Sequence, residues 1–373
     1  MRVAMCGLPA HPSWPGGEPA IVRSLARGFQ KNGITTCLIH DNDFIKSNKL
    51  KSAFTKLISG YFSYDFYRTR FSNASPDICL GFADWDFSYI FAARDLEIPV
   101  ALHMGIYWLI CPKWILFNWK KLVCEGPGRL KCSYCVLKTR RLLLLLRMRR
   151  FFLQRDKLKD TIWKIIAPSV FVSRILEVAG FKKDKIITIE NGIDLNKWKF
   201  YSLLQTTKKT ILFSSPCTEQ KGIQYFVELA RQLRYRSDLQ FIATGNPVAR
   251  SPANLQFVGW KPENEVVDLI NKSYVVVVPS VFEEPFGLVA TQAMAVGRPV
   301  VIFDSGGLRE QVKDGINGFV VKRGDIHCLK ERVVELADNP GLAAEMGERG
   351  REIAYKRFNE EGMIRKYIDV IKA

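Results

Sequence analysis

Residues 275–297 read VVVVPSVFEEPFGLVATQAMAVG. Four successive valines are apolar on both faces, the pattern of a parallel strand covered by helices on each side. Pro279 and Ser280 end the run. Pro285 suits the first turn of a helix, and Gly297 is a natural stop for the apolar segment that follows it. Strand, loop and helix start in this order form the repeating unit of an open α/β sheet, where ligands bind beyond the carboxyl ends of the strands. Glu283 and Glu284 stand in the loop. Acidic groups there ordinarily complement the helix dipole. The amides around Phe286, Gly287 and Leu288 equally suit a phosphate or polyhydroxyl ligand. Gln292 follows about two turns later.

The same unit recurs on either side. TILFSS (210–215) leads through a loop ending at Lys221 and Gly222 to a helix with Ile223, Phe226, Val227, Ala230 and Leu233 on one face. Lys221 reads as a phosphate ligand or as a solvated charge. Strands are expected at 239–243, 255–258 and 299–303, and the last runs into Gly306-Gly307, either a tight turn or a close backbone approach to a ligand. In the first half, RVAMC (2–6) and a Pro/Gly-rich loop precede a helix from about residue 18, carrying Ile21, Val22, Leu25 and Phe29 and stopping at Gly33. Further strands are expected at 34–39, 89–93, 99–103, 163–169 and 186–189, with no element assigned across 40–80 and a linker at 195–209.

The order predicts an α/β protein of two doubly wound, Rossmann-like domains facing a central cleft. The expected boundaries are 1–200, with an insertion at about 105–160, then 201–350, and a C-terminal helix in 351–373 that packs back on the first domain.

Composition narrows the setting. Of 373 residues, 47% are hydrophobic, enough for packed cores and too many for a disordered chain. No run reaches the roughly 18 apolar residues of a membrane span. The opening MRVAMCGLPAHPSW is too broken by Pro and Gly for a signal peptide, so a cytoplasmic protein is expected. Lys and Arg number 55 against 37 Asp and Glu, a net charge of +18 that asks for an anionic partner. Arg140, Arg141, Arg147, Arg149 and Arg150 surround Leu142–Leu146. That block reads either as a core helix with wet arginines or as a peripheral contact with an anionic membrane surface. No nucleic-acid-binding module is visible, which disfavours nucleic acid as the partner.

Taken as a set, these motifs resemble the retaining glycosyltransferases of family 4, or group 1, which have the GT-B fold. The resemblance rests on Pro279-Ser280, Glu284-Pro285-Phe286-Gly287-Leu288, Ala293-Met294-Ala295 and Gly297-Arg298-Pro299-Val300. Gly306-Gly307 with Glu310, Asp314-Gly315, Asn317-Gly318-Phe319, Asn191-Gly192-Ile193-Asp194 and Ala167-Pro168-Ser169 continue it. It implies transfer of a sugar, of hexosyltransferase type, from a UDP-, GDP- or ADP-linked donor to a glycan or lipid-linked acceptor, with no catalytic cofactor. The alternative is a noncatalytic or regulatory protein on the same scaffold. By resemblance, Glu284 contacts donor hydroxyls, Lys221 neutralises the donor diphosphate, and the Phe286, Gly287 and Leu288 amides touch sugar and phosphate. Gln292 takes the ribose position, and Gly16-Gly17 is the amino-domain glycine loop.

Three positions depart from the pattern. Gln292 replaces a Glu, and Pro216 replaces an Arg that lies five residues before the Lys. Gly105-Ile106 falls where many relatives have His-Asp, with His103 two residues earlier as a candidate substitute. Cys111, Cys124, Cys132 and Cys135 follow a spacing shared with a subset of these enzymes. Four thiolates suit a structural zinc; reduced free thiols, and a redox pair or an iron-sulfur cluster, are the other readings.

Overall fold

The computed structural model describes residues 1–7, 17–39, 60–83, 87–118, 120, 123–124, 126–138, 142–199 and 209–373, with backbone alone at 60–62 and 142–150. Two compact units divide the chain. Met1–Glu190 with Met363–Ala373 form the first, and Asn191–Gly362 the second.

In the first unit a six-stranded parallel sheet has the order β2-β1-β3-β4-β5-β6, from β1 (Arg2–Cys6), β2 (Thr35–Ile39), β3 (Ile78–Gly81), β4 (Val100–His103), β5 (Lys164–Ala167) and β6 (Ile186–Thr188). Helix α1 (Gly17–Lys31) buries Ile21, Val22, Leu25 and Phe29 at helical spacing. Helix α2 (Gly60–Ala74) and β3 occupy part of the segment for which no element is expected. Aromatic and polar residues alternate along α2 without a clean stripe, so periodicity does not announce it. Residues 89–93 are not a strand. They lie in helix α3 (Ser88–Asp95), which buries Tyr89, Ile90, Ala92 and Ala93. A short apolar run between loops fits either element, and here the helical pattern of burial decides.

Helices α4 (Arg129–Lys138) and α5 (Leu142–Thr161) follow β4 and pack against one another. Helix α6 (Val170–Val178) is capped by Ser169, whose Oγ accepts from Val172 N at 3.2 Å.

The second unit has the order β12-β11-β10-β7-β8-β9, all parallel, from β7 (Lys209–Phe213), β8 (Leu239–Ala243), β9 (Leu255–Phe257), β10 (Val275–Val278), β11 (Val300–Phe303) and β12 (Gly318–Val321). Counted within the unit this is 6-5-4-1-2-3, the doubly wound order whose direction reverses between its first and fourth strands, β7 and β10. Helices α7 (Ile223–Gln232), α8 (Glu263–Lys272), α9 (Leu288–Ala295), α10 (Ile326–Asp338) and α11 (Pro340–Arg357) connect and follow the strands.

The expected linker is partly structural. Ile193 and Trp198 are buried in the second unit's core beside Phe358, so the chain from Asn191 belongs there. Residues 200–208 lie outside the described residues. The C-terminal part is also finer than the single helix expected. Helix α11 stays with the second unit, and only from Met363, within α12 (Glu360–Lys372), does the chain belong to the first. A side chain at Gly28 of α1 would collide with Ile364 of α12, so the absent Cβ lets these helices approach closely. Among the described residues no helix is long and apolar enough to cross a membrane.

Candidate functional site

The carboxyl ends of β7 and β10 carry the two segments singled out from the sequence. After β7 the chain makes a single 3-10 turn at Glu219–Lys221 and enters α7 through Gly222. Gly222 has φ 79°, and a Cβ there would run into the Pro279 carbonyl oxygen. The two loops thus meet where only glycine fits. Val281 N donates to Gln220 O at 2.9 Å and stitches them together.

Lys221 and Glu284 meet at this join. Lys221 Nζ donates to Glu284 Oε1 at 2.7 Å and lies 4.8 Å from the centre of the Phe282 ring. The Glu284 residue is 5% exposed. Ser280 Oγ donates to the same carboxylate oxygen at 2.6 Å, Glu284 N donates to Ser305 Oγ at 3.3 Å, and Gly307 N donates to Glu284 O at 2.8 Å. Backbone and side chain are both held, leaving the carboxylate little freedom. A Cβ on Gly306 would strike the Glu284 carbonyl, which explains the first glycine of the pair after β11.

Glu283 points to different partners. Its Oε1 accepts from Arg323 Nη2 at 2.9 Å, and the same guanidinium donates to Asp304 O at 2.9 Å. Adjacent carboxylates therefore have separate tasks, one tying down the β11 loop and the other meeting Lys221.

Beyond Glu284 the chain turns into α9 through Gly287, at φ 103° and ψ 58°. No side chain caps this helix; Ala290 N donates to Gly287 O at 3.0 Å, and the Leu288 and Val289 amides ahead of it precede any intrahelical acceptor. They supply the partial positive charge of a helix N-terminus, which starts four residues after Glu284, the partner of Lys221. The turn is braced from below. Gln311 Nε2 donates to Phe286 O, Thr291 Oγ1 donates to Gln311 Oε1 at 2.7 Å, and Asn317 Nδ2 donates to Gln311 O at 3.1 Å. Thr291, Gln311 and Asn317 are buried. Gln292 is half-buried one turn after Leu288 on α9, so the two share a face.

Sequence reasoning assigned no task to Ser280, Ser305 or Gln311. Each serine lies two residues beyond a strand end, a position that could have flagged them. Gln311 carries no local signal, since its role depends on a carbonyl 25 residues away.

In the first unit, Gly17 opens α1, while Gly16 lies outside the described residues. Glu18, next in sequence and also missed, has Oε1 sealed from solvent with no hydrogen-bond partner. Burial pushes its carboxyl up to about 8, against a lowering hydrogen bond from the Ala83 backbone. His103 ends β4 and is wholly buried. Its Nδ1 shares a 2.7 Å hydrogen bond with Tyr367 Oη of α12, and burial pushes the ring down to about 4. It is therefore a neutral imidazole in the first unit's interior, committed on one side to Tyr367.

Cys111, Cys124, Cys132 and Cys135 are free thiols. Burial raises Cys111 although the Lys113, Leu116 and Ile115 backbones hydrogen-bond its sulfur, and burial raises Cys132, which also feels the other three. Gly128 N donates to Cys132 Sγ at 3.4 Å. The donor chemistry suits zinc. Among the described residues, however, no group of three or more His, Cys, Asp or Glu side chains is arranged to hold a metal ion. Arg140 and Arg141 lie outside the described residues, as do the side chains of Leu142–Leu146, Arg147, Arg149 and Arg150.

Residues 194–353, which contain Lys221 and Glu284, match the family described as glycosyl transferases group 1. An uncharacterized glycosyltransferase of Methanocaldococcus jannaschii is 30% identical over 206 residues, 53% of this chain and 56% of that protein. The chain thus spans little more than half the length of such curated relatives. Among solved structures, Anabaena HepE in complex with UDP-glucose is similar with a TM-score of 0.72 at 16% identity, covering 100% of this chain and 99% of that one. Sucrose-phosphate synthase of Thermosynechococcus elongatus is similar with a TM-score of 0.74 at 17% identity, covering 100% and 98%. The fold is GT-B, built from two Rossmann-like α/β domains, and the second is related in sequence to group 1 glycosyl transferases.

Proposed function

We propose that the protein is a retaining glycosyltransferase that moves a sugar from a nucleotide-sugar to a glycan or lipid-linked acceptor. The observation that carries this reading is the 2.7 Å contact between Lys221 Nζ and Glu284 Oε1 at the β7–β10 reversal, beside the uncapped start of α9. A nucleotide diphosphate needs fixed positive charge, which the ammonium and the helix amides provide. A sugar needs a held acceptor of hydroxyl protons, which Glu284 provides. When the acceptor oxygen bonds to the anomeric carbon, the bond from that carbon to the diphosphate breaks, and the acceptor proton passes to the departing diphosphate on the same face. Lys221 offsets the charge that develops on the leaving group. Glu284 orients the donor and stabilises positive character on the sugar without bonding to it.

The HepE complex makes a UDP-linked hexose the first donor to try. A donor panel run against membrane-extracted lipid glycans tests the reading. Glu284→Ala is expected to lower turnover by about a hundredfold, while Glu283→Ala, which frees only Arg323, lowers it far less. Equal, small effects with the correct donor would overturn the assignment. Selective binding of one nucleoside diphosphate supports it further, whereas salt-sensitive binding of arbitrary oligonucleotides without nucleotide selectivity rejects it. A structural zinc on Cys111, Cys124, Cys132 and Cys135 belongs to the same proposal. It rests on the donor chemistry and the spacing of the four thiols, since their described side chains are not gathered as a ligand set. Protein purified without added metal should hold about one zinc per chain; no metal, with all four thiols freely reactive, rules it out.

A further inference from the structure

Helix α4 wears much of its apolar surface on the outside. Cys132 and Val136 turn inward, whereas Leu130, Tyr134 and Leu137 are 89%, 49% and 50% exposed. Their spacing of four and three residues puts all three on one stripe. At 100° per residue the stripe is flanked by Arg129 on one side and by Lys131 and Lys138 on the other. All three cations are exposed, and Arg129 also pairs with Asp156 of α5 at 3.6 Å across the surface. Lys138 Nζ lies 5.5 Å from the Tyr134 ring centre, so charge and apolar surface form one continuous patch. Helix α5, packed against α4, adds exposed Leu153.

We infer that this face of α4 docks on an anionic lipid bilayer. Two aliphatic side chains and a tyrosine on one stripe call for an apolar phase, and cations on both flanks call for a layer of negative charge directly above it. A helix lying in the headgroup plane meets both needs: the leucines enter the acyl boundary, the tyrosine sits at the interface, and the lysine and arginine stems reach up to the phosphates. Each basic residue near such a surface adds on the order of 1 kcal/mol, which suits reversible attachment. Nucleic acid has the charge but offers the leucines nothing. The following sequence continues the positive charge through Arg140, Arg141, Arg147, Arg149 and Arg150. The inference deepens the transfer reading by favouring its lipid-linked acceptors over soluble ones, and it stands on residues far in sequence from Lys221 and Glu284.

Vesicle sedimentation of the full chain tests it. The protein is expected to sediment with phosphatidylcholine vesicles that contain phosphatidylglycerol, to stay in solution with phosphatidylcholine alone, and to be released by high salt. Leu130→Ser with Leu137→Ser should weaken binding by about tenfold or more with an unchanged urea midpoint. Arg129→Gln, Lys131→Gln and Lys138→Gln together should weaken it and flatten its salt dependence. The inference is overturned if wild-type protein ignores anionic vesicles at low salt, if the leucine pair variant binds like wild type, or if oligonucleotide displaces the protein from vesicles by occupying α4. Nucleoside diphosphate titration of the same samples keeps the two readings apart. Loss of nucleotide binding with intact vesicle binding counts against transfer alone, and the converse counts against docking alone.

Discussion

In the first unit, Glu18 and His103 titrate in opposite directions, and pH is the perturbation that exposes them. The Glu18 carboxyl is held at about 8 against an ordinary 4.5, and the His103 ring at about 4 against an ordinary 6.5. Tyr367, hydrogen-bonded to His103, is raised further by burial and by the Glu18 charge, so it stays protonated throughout. Gly105 leaves room for the carboxyl, since a Cβ there would lie 2.8 Å from Glu18 Oε1. Between pH 4.5 and 6.5 the unfolded chain holds its proton on the histidine and the folded chain on the carboxyl, so the two states bind equal numbers and stability is flat. Above pH 6.5 the unfolded chain holds neither proton, while folded Glu18 keeps its own up to about 8. Stability then falls by about 1.4 kcal/mol per pH unit, a total of about 2 kcal/mol by pH 8. Below pH 4.5 the unfolded chain gains a second proton before His103 does in the fold, and stability falls again.

The assay is urea denaturation of the first unit, followed through the fluorine resonance of fluorotryptophan at buried Trp108. Glu18→Gln keeps the shape of the protonated acid and removes the titration. The variant should therefore lose the decline above pH 6.5 and gain stability up to that point as its unfolded histidine loses charge. A wild-type profile that stays flat from pH 6.5 to 8, or a Glu18→Gln profile that still declines there, would refute the reasoning.

Gly222→Ala should destabilise the second unit by about 3 kcal/mol, because the new Cβ meets the Pro279 carbonyl at a positive φ; its urea midpoint measures this. Gln311→Ala, which leaves the Phe286 carbonyl and the Thr291 hydroxyl without their partner, should cost about 2 kcal/mol. It should also weaken nucleotide binding by calorimetry, while Gln311→Glu rescues neither effect because a carboxylate cannot donate to the carbonyl. Gln292→Glu should tighten nucleotide-sugar binding by roughly 1 kcal/mol if the residue meets ribose hydroxyls; weaker binding with an intact fold removes it from that position.

The second unit was the more legible half. Its strands include unbroken apolar runs at 275–278 and 300–303, its helices have one apolar face, and Gly222, Gly287 and Gly306 mark turns that tolerate no side chain. Lys221 and Glu284 could be picked out because each follows a strand end and precedes a helix start. Their mutual contact, between residues 63 apart in sequence, could not, since it depends on β7 and β10 being neighbours. The first unit hid more. Residues 89–93 have the composition of a strand and the burial pattern of a helix, and nothing near Glu18 announces that it will act on Tyr367. Cys132 and Cys135 advertise a metal by their close spacing, but spacing does not fix where the side chains point.

The chain leaves the first unit at Glu190 and re-enters it at Met363. During synthesis the second unit is thus complete before the first one is. Until residues 363–373 emerge, the α1 face at Gly28 lacks Ile364 and the His103 ring lacks Tyr367, so the first sheet waits with an uncovered side. Limited proteolysis of stalled nascent chains should find Asn191–Gly362 protected earlier than Met1–Glu190. Separating the units has the same asymmetry: one is a continuous segment, whereas the other survives a cut only if its final helix is supplied from a second piece of chain.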